Sequence, residues 1–264
     1  MHFHPQHMPL PASLTRLHLD FEKSGELTAL TRLHTLSLVW ADPQGDALAS
    51  LPSLRSLALL QCFTWPDCIS QLTGLEALTL NDARSILDAM VEDPGASTAA
   101  VAAALPQLQR LTHLALVWPV GYPAPLAELA AMSSLRSLFW PAAGWELPAG
   151  AYLSSLTRLV TRAEALPALA PAEAAEAAPS LRFLGLWCEE QDEAALHGTL
   201  RWLSQLPPLR RALLAASEAR FGRCVQAVVG AQRAAPHLAI DCFTDVSDSM
   251  GPFLHACGDE YSPP

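Results

Sequence analysis

Leucines recur along this chain in a single frame, LxxLxxLxL. Clear copies are Leu30-Leu33-Leu36-Leu38, Leu51-Leu54-Leu57-Leu59, Leu72-Leu75-Leu78-Leu80 and Leu108-Leu111-Leu114-Leu116. Degenerate copies are Met132-Leu135-Leu138-Trp140, Leu153-Leu156-Leu159-Thr161 and Ala178-Leu181-Leu184-Leu186. Leu14-Leu17-Leu19 opens the series, and weak copies at Leu206-Leu209-Ala212-Leu214 and Leu238-Ile240 close it. The closing LxL of each copy alternates at the strand period of two, so both leucines enter a core and the residue between them faces away. The earlier leucines anchor the turn behind the strand. One such unit cannot bury its leucines alone, and stacking joins neighbours into a continuous core.

The positions between the frames change character along the chain. Early spacers are short, as at Asp46–Leu51 and Pro66–Leu72. Later ones carry helix-forming runs, at Asp192–His197 and Glu218–Val229. One interval, from Leu78 to Leu114, holds extra chain around Val91–Ser97. The alanine-rich Thr98–Leu105 within it has good helix propensity, so this stretch is either a degenerate repeat with a long convex helix or a projecting loop. Glu164–Pro179 offers a similar choice.

The frame and its spacing of about 20–29 residues resemble the leucine-rich-repeat superfamily over most of the chain. The late repeats resemble the ribonuclease-inhibitor-like, F-box-associated intracellular subclass, where helices cover the convex face. The resemblance implies an α/β solenoid, or horseshoe, with a parallel concave sheet and convex helices and turns. The expected organisation is a tail or minimal cap over residues 1–9, one repeat domain over 10–245 and a second tail over 246–264. The family consensus places Asn three residues after the last leucine, where its amide satisfies backbone groups of adjacent turns. Here those positions hold Glu22, Ala41, Cys62, Ala83, Pro119, Ala143, Glu164 and Glu189, of which only Cys62 is a tolerated choice. Water or local turns must satisfy that backbone instead. The first repeat also begins almost at Met1, so either His2–Pro9 caps the core or the chain is a fragment.

Composition narrows the function. Hydrophobic residues are 51% of the 264 and charged ones 16%, the balance of an ordered, core-rich protein. The formal net charge of −10 disfavours nucleic acid and anionic membrane as partners. The first residues show no basic stretch leading into an apolar one, and no apolar run is long enough to span a bilayer. The six cysteines form no CxxC pair and are expected to be free thiols in a cytoplasmic setting.

Candidate chemistry is sparse. His2, His4 and His7 have metal-binding residue types but sit in a terminal, Pro-containing segment. Cys62 and Cys68 flank a turn with no second pair to complete a zinc site. Cys188, His197 and Asp192 or Glu193 match cysteine-hydrolase residue types without a signature. No Gly-rich phosphate loop or Gly-x-Ser-x-Gly motif occurs. No catalytic residue, metal or cofactor is assigned. Trp40 and Trp118, in matching Leu-Val-Trp triplets, read as core or rim packing, and Trp140 takes a core leucine position.

The outward columns carry the functional reading. Early strands offer small residues, such as Ser37, Ala58 and Thr79. Later strands set Phe139, Val160, Phe183 and Trp187 beside Arg158 and Arg162, and exposed aromatics with Arg have the composition of an interface hot spot. The alternatives are an unremarkable concave surface or one covered by the C-terminal tail. The expectation is a monomeric, non-catalytic scaffold binding a protein partner on the concave face at those six residues. The other readings are the substrate-recognition part of a ubiquitin-ligase adaptor, a regulatory fragment of a larger protein, enzymatic or not, and a structural role in a cytoskeletal or ciliary assembly.

Overall fold

The computed structural model describes residues 10–20, 24–39, 45–62, 65–82, 94–117, 126–141, 146–166, 173, 176–188, 193–206 and 208–245. The chain divides into two compact units, Met1–Leu111 and Thr112–Pro264, where the sequence reads as one repeat array.

The first unit contains β1 (Arg16–Asp20), β2 (Thr35–Val39), β3 (Ser56–Cys62) and β4 (Ala77–Asp82), each parallel to the next. The leucine frame sets the register: Leu17, Leu36, Leu57 and Leu78 align across the strands, as do Leu19, Leu38, Leu59 and Leu80. Behind the strands run 3-10 turns at Ser24–Ala29 and Asp67–Gln71 and the short helix α1 (Gly45–Ala49). The three-residue spacing of the frame explains these turns. The Leu30 amide donates to the Leu27 carbonyl at 2.9 Å and the Leu33 amide to the Leu30 carbonyl at 3.0 Å, the i to i−3 pattern of a 3-10 turn. The alanine-rich part of the long interval is a helix, α2 (Pro94–Ala104). It buries Val101 and Ala104 and packs against the Asp67–Gln71 turn, on the side opposite the open face of the sheet. Residues 83–93 lie outside the described residues.

The second unit contains β5 (His113–Val117), β6 (Ser137–Trp140), β7 (Arg158–Arg162), β8 (Phe183–Trp187), β9 (Arg211–Ser217) and β10 (Ala239–Asp245), again parallel in sequence order. Leu114, Leu138, Leu159, Leu184, Ala212 and Ile240 align in one core column. The backing helices begin short, with α3 (Leu126–Ala130) and α4 (Tyr152–Ser155), and lengthen to α5 (Glu193–Ser204) and α6 (Glu218–Ala234).

Neighbouring repeats are also joined at the strand entrances. The Thr15 carbonyl accepts both the His34 and Thr35 amides, at 2.8 and 3.0 Å, and the His34 carbonyl accepts both Arg55 and Ser56 at 2.9 Å. The same forked bond recurs in the second unit, where the Thr112 carbonyl holds Arg136 and Ser137 and the Thr157 carbonyl holds Arg182 and Phe183. Arginines add rungs: Arg55 Nη1 donates to the Gly74 carbonyl at 3.3 Å, Arg136 Nη1 to Ser155 at 3.2 Å and Arg182 Nη1 to Pro208 at 3.1 Å. Each stitches one repeat to the next at the residue after the second leucine. Where the consensus-tolerated Cys62 occurs, its thiol reaches the carbonyls of Leu60 and, one repeat back, Leu38. It can do so because β3 carries a bulge: Gln61 adopts φ 54° and the register shifts between Leu60 and Cys62, turning the thiol into the core.

The end of the first unit is less closed than its middle. Leu14, Leu17 and Leu19 are half-buried, whereas Leu36 and Leu38 are fully buried. Among the described residues β1 pairs with β2 alone, which accounts for the gradient.

Candidate sheet-face interface

Strand alternation sends one column of side chains into the leucine core and the other onto the opposite, sheet face. In the second unit the register brings the sheet-face residues together as expected. Phe139 aligns with Val160, Val160 with Gly185 and Gly185 with Leu213. Arg158 aligns with Phe183, and Arg162 with Trp187.

Their exposure differs from the expectation. Phe139 and Val160 are each 1% exposed, and Trp187 is 5% exposed. With Ala115, Leu213 and Ala215 they form a second hydrophobic cluster, against which Val117 and Phe183 pack half-buried. Phe139, Val160 and Trp187 are thus not exposed anchors. Alternation fixes the side of the sheet a residue occupies but not whether that side is open. Gly185, in register between Val160 and Leu213, is buried as well.

The two arginines and Phe183 form the half-exposed margin of the cluster. The Arg158 guanidinium lies 4.4 Å from the Phe183 ring centroid, a cation–π contact that holds both groups in place. Arg162 donates from Nε to the Pro141 carbonyl at 3.0 Å and approaches Glu164 at 3.6 Å, so part of its fork is already engaged. One row further on, Arg211 Nε donates to Asp241 Oδ2 at 3.0 Å, an exposed pair that extends the margin across β9 and β10. Leu213 and the Arg211–Asp241 pair were not singled out in the sequence. The weak frame Leu206-Leu209-Ala212-Leu214 held the signal, since it places Arg211 and Leu213 on the outward side.

The first unit presents a different face. Thr35, Ser37, Val39, Ala58, Leu60, Ala77, Thr79 and Asn81 are half-exposed, and Arg16 and His18 on β1 are exposed.

The other sequence candidates separate. His2, His4, His7, Trp40, Trp118 and Asp192 lie outside the described residues. Cys188 is buried behind β8, and burial pushes its thiol up to about 12, the opposite of what a nucleophile needs. His197 is exposed on α5. Cys62 and Cys68 are both buried, and burial raises the Cys68 thiol. Among the described residues no group of three or more His, Cys, Asp or Glu is placed to hold a metal ion. An apolar cleft on the helical side of the second unit, lined by Leu153, Leu166, Leu181, Trp202 and Leu206, offers few polar atoms to orient a ligand. Trp140, predicted in a core position, is fully buried. No helix among the described residues is long and apolar enough to cross a membrane.

The phased leucines, parallel strands and backing turns and helices define each unit as a stretch of leucine-rich-repeat solenoid, an α/β fold. A solved structure shares it. Human 5T4 (Wnt-activated inhibitory factor 1, trophoblast glycoprotein) superposes with a TM-score of 0.50 at 20% identity, over 76% of this chain and 78% of that one. The functional domain of InlJ from Listeria monocytogenes, which includes a cysteine ladder, matches with a TM-score of 0.46 at 14% identity, over 82% of this chain and 48% of that one. At 20% identity the likeness to 5T4 concerns the fold alone. No protein-family model matches the sequence, and no curated protein matches it.

Proposed function

We propose that this protein is a non-catalytic interaction scaffold that binds a protein partner through the sheet face of its second unit. The observation that carries the reading is the apolar cluster on that face. The leucine column alone closes the stacked repeats, yet Phe139, Val160, Trp187 and Leu213 build a second packed layer on the other side of the same strands. That layer is a rigid floor for the half-exposed Phe183 and Arg158, whose stacked geometry costs little entropy to present to a partner. Arg158 and Arg162 suit an acidic group on the partner, and Phe183 an apolar one. The roles therefore divide: Phe183, Arg158 and Arg162 make contact, and Phe139, Val160 and Trp187 support them.

The long backing helices α5 and α6 support the ribonuclease-inhibitor-like subclass for the second unit. The acid excess supports a protein over a nucleic acid or an anionic membrane as partner, and a cytoplasmic, monomeric form is part of the same proposal.

The test is affinity purification with mass spectrometry, comparing the wild type with the double variant Arg158→Ala/Phe183→Ala. A partner recovered with the wild type and lost with a variant that still folds cooperatively is the expected result. Retention of every partner by a folded double variant removes this face as the site. Once a partner is in hand, each single change should weaken it by roughly 1–3 kcal/mol.

A further inference from the structure

The last helix and the last strand of the second unit each place a cysteine in their interface. Helix α6 turns Cys224, Ala227 and Val228 inward, at the i, i+3, i+4 spacing of one helix face. On β10, Ile240 aligns with Ala212 and Cys242 with the core residue Leu214, so the inward pair of this strand is Ile240 and Cys242 where the sequence reads Leu238 and Ile240, and Cys242 faces the helix. The two Sγ atoms are 3.6 Å apart, within hydrogen-bonding distance for thiols.

We propose that Cys224 and Cys242 are a reversible dithiol–disulfide site that staples α6 to β10. A disulfide needs about 2.05 Å between sulfurs, so closure asks for a movement of about 1.5 Å, which side-chain rotation can supply. The location gives the bond an effect. Among the described residues β10 pairs with β9 alone, and a repeat draws its stability from its neighbours and from contacts within itself. A bond across this repeat closes a loop between residues 18 apart and restrains α6 against β10.

Selectivity follows from the surroundings. Cys242 is half-exposed, and the pair shares a hydrogen bond that favours a first thiolate on Cys224 and opposes a second ionisation on Cys242. Cys188, the third sulfur near this pair, is buried with its thiol pushed up to about 12, and Cys68 is buried and raised as well. The oxidant is hydrogen peroxide, small enough to enter beside Cys242. A thiolate of the pair attacks one peroxide oxygen; the S–O bond forms, the O–O bond breaks, and the departing hydroxide takes a proton to become water. The second sulfur, losing its proton, displaces hydroxide from the sulfenic acid; the S–S bond forms, the S–O bond breaks, and a second water leaves. Two thiols and one peroxide thus give one disulfide and two waters. A dithiol reductant reverses the bond by exchange.

The experiment uses the full chain, reduced, freed of reductant and treated with a few equivalents of hydrogen peroxide. The expected result is a loss of two hydrogens (about 2 Da) by intact mass under denaturing conditions and a peptide map linking Cys224 to Cys242. Thermal stability should rise by roughly 5–10 °C and return on treatment with dithiothreitol. Cys242→Ser should abolish both the link and the rise. The wild-type map stands even if that variant folds poorly. An unchanged thiol count, a link through Cys188 or Cys257, or oxidation that stops at sulfenic or sulfinic acid overturns the proposal.

Discussion

Strands β2 and β8 occupy the same place in their repeats but bury their residues differently. In β2 the pattern alternates: Leu36 and Leu38 are buried, while Thr35, Ser37 and Val39 are half-exposed. In β8 every residue from Leu184 to Trp187 is buried and only Phe183 is partly open. β6 is buried along its whole length. Both strands satisfy the leucine frame and both pair in parallel with their neighbours. The difference teaches that the repeat frame specifies one face of the sheet and leaves the other free to vary. In the first unit that free face carries small residues and remains open. In the second it carries aromatics and branched aliphatics and becomes a second packed layer, as parallel strands do when both faces are covered.

The contrast breaks first at the leucine column, where the two units should respond alike. Leu57→Asp and Leu138→Asp each place an unpaired charge in a stacked core and should cost at least about 4 kcal/mol in chemical denaturation. A mild effect at either site means the register is misassigned there. Next comes the free face. Phe139→Ala should cost about 3–5 kcal/mol, the range of a core aromatic, although its column holds Ser37 and Ala58 in the first unit. A cost below about 1 kcal/mol would show that the second layer contributes contact area without stability.

Smaller effects sharpen the picture of how repeats are joined. Thr161 Oγ1 donates to the Trp140 carbonyl at 2.7 Å across two repeats, from a fully buried position that the frame reserves for leucine. Thr161→Val keeps the shape, removes the donor and should cost about 1–2 kcal/mol in the same denaturation assay. The smallest expected effect is at the β3 bulge. Gln61→Gly relieves a left-handed conformation that costs a side chain about 1–2 kcal/mol, offset in part by the greater freedom of glycine when unfolded. A net gain of about 0.5 kcal/mol is expected; a loss would show that the Gln61 side chain holds the bulge in place.

Much of the fold was legible because leucine spacing encodes both the three-residue turns and the two-residue strand alternation. The side of the sheet occupied by Phe139, Val160 and Trp187 was legible for the same reason. Their burial was not, because cover depends on what lies across neighbouring strands, and a single-strand pattern does not contain it. The forked carbonyl bonds at Thr15 and Thr112 were equally hidden, since any residue can supply a backbone carbonyl. The inward turn of Cys62 depended on a bulge that shifts alternation by one residue, and the approach of Cys224 to Cys242 depended on how a helix docks on a strand. Arg158 and Phe183 sat in visible columns, but their stacking came from the register between two strands separated by a long interval.

Thr79 and Val160 allow the most direct test. Both lie between the two leucines of their strands, both are β-branched and of similar size, and they differ in exposure: Thr79 is half-exposed and Val160 is 1% exposed. Thermal denaturation of Thr79→Asp and Val160→Asp, measured side by side with the wild type, compares the two free faces at one repeat position. Thr79→Asp should melt within about 2 °C of the wild type, and Val160→Asp should lose more than about 10 °C. Equal melting temperatures for the two variants would contradict a closed second layer in the second unit, and with it the rigid floor on which the proposed binding face rests.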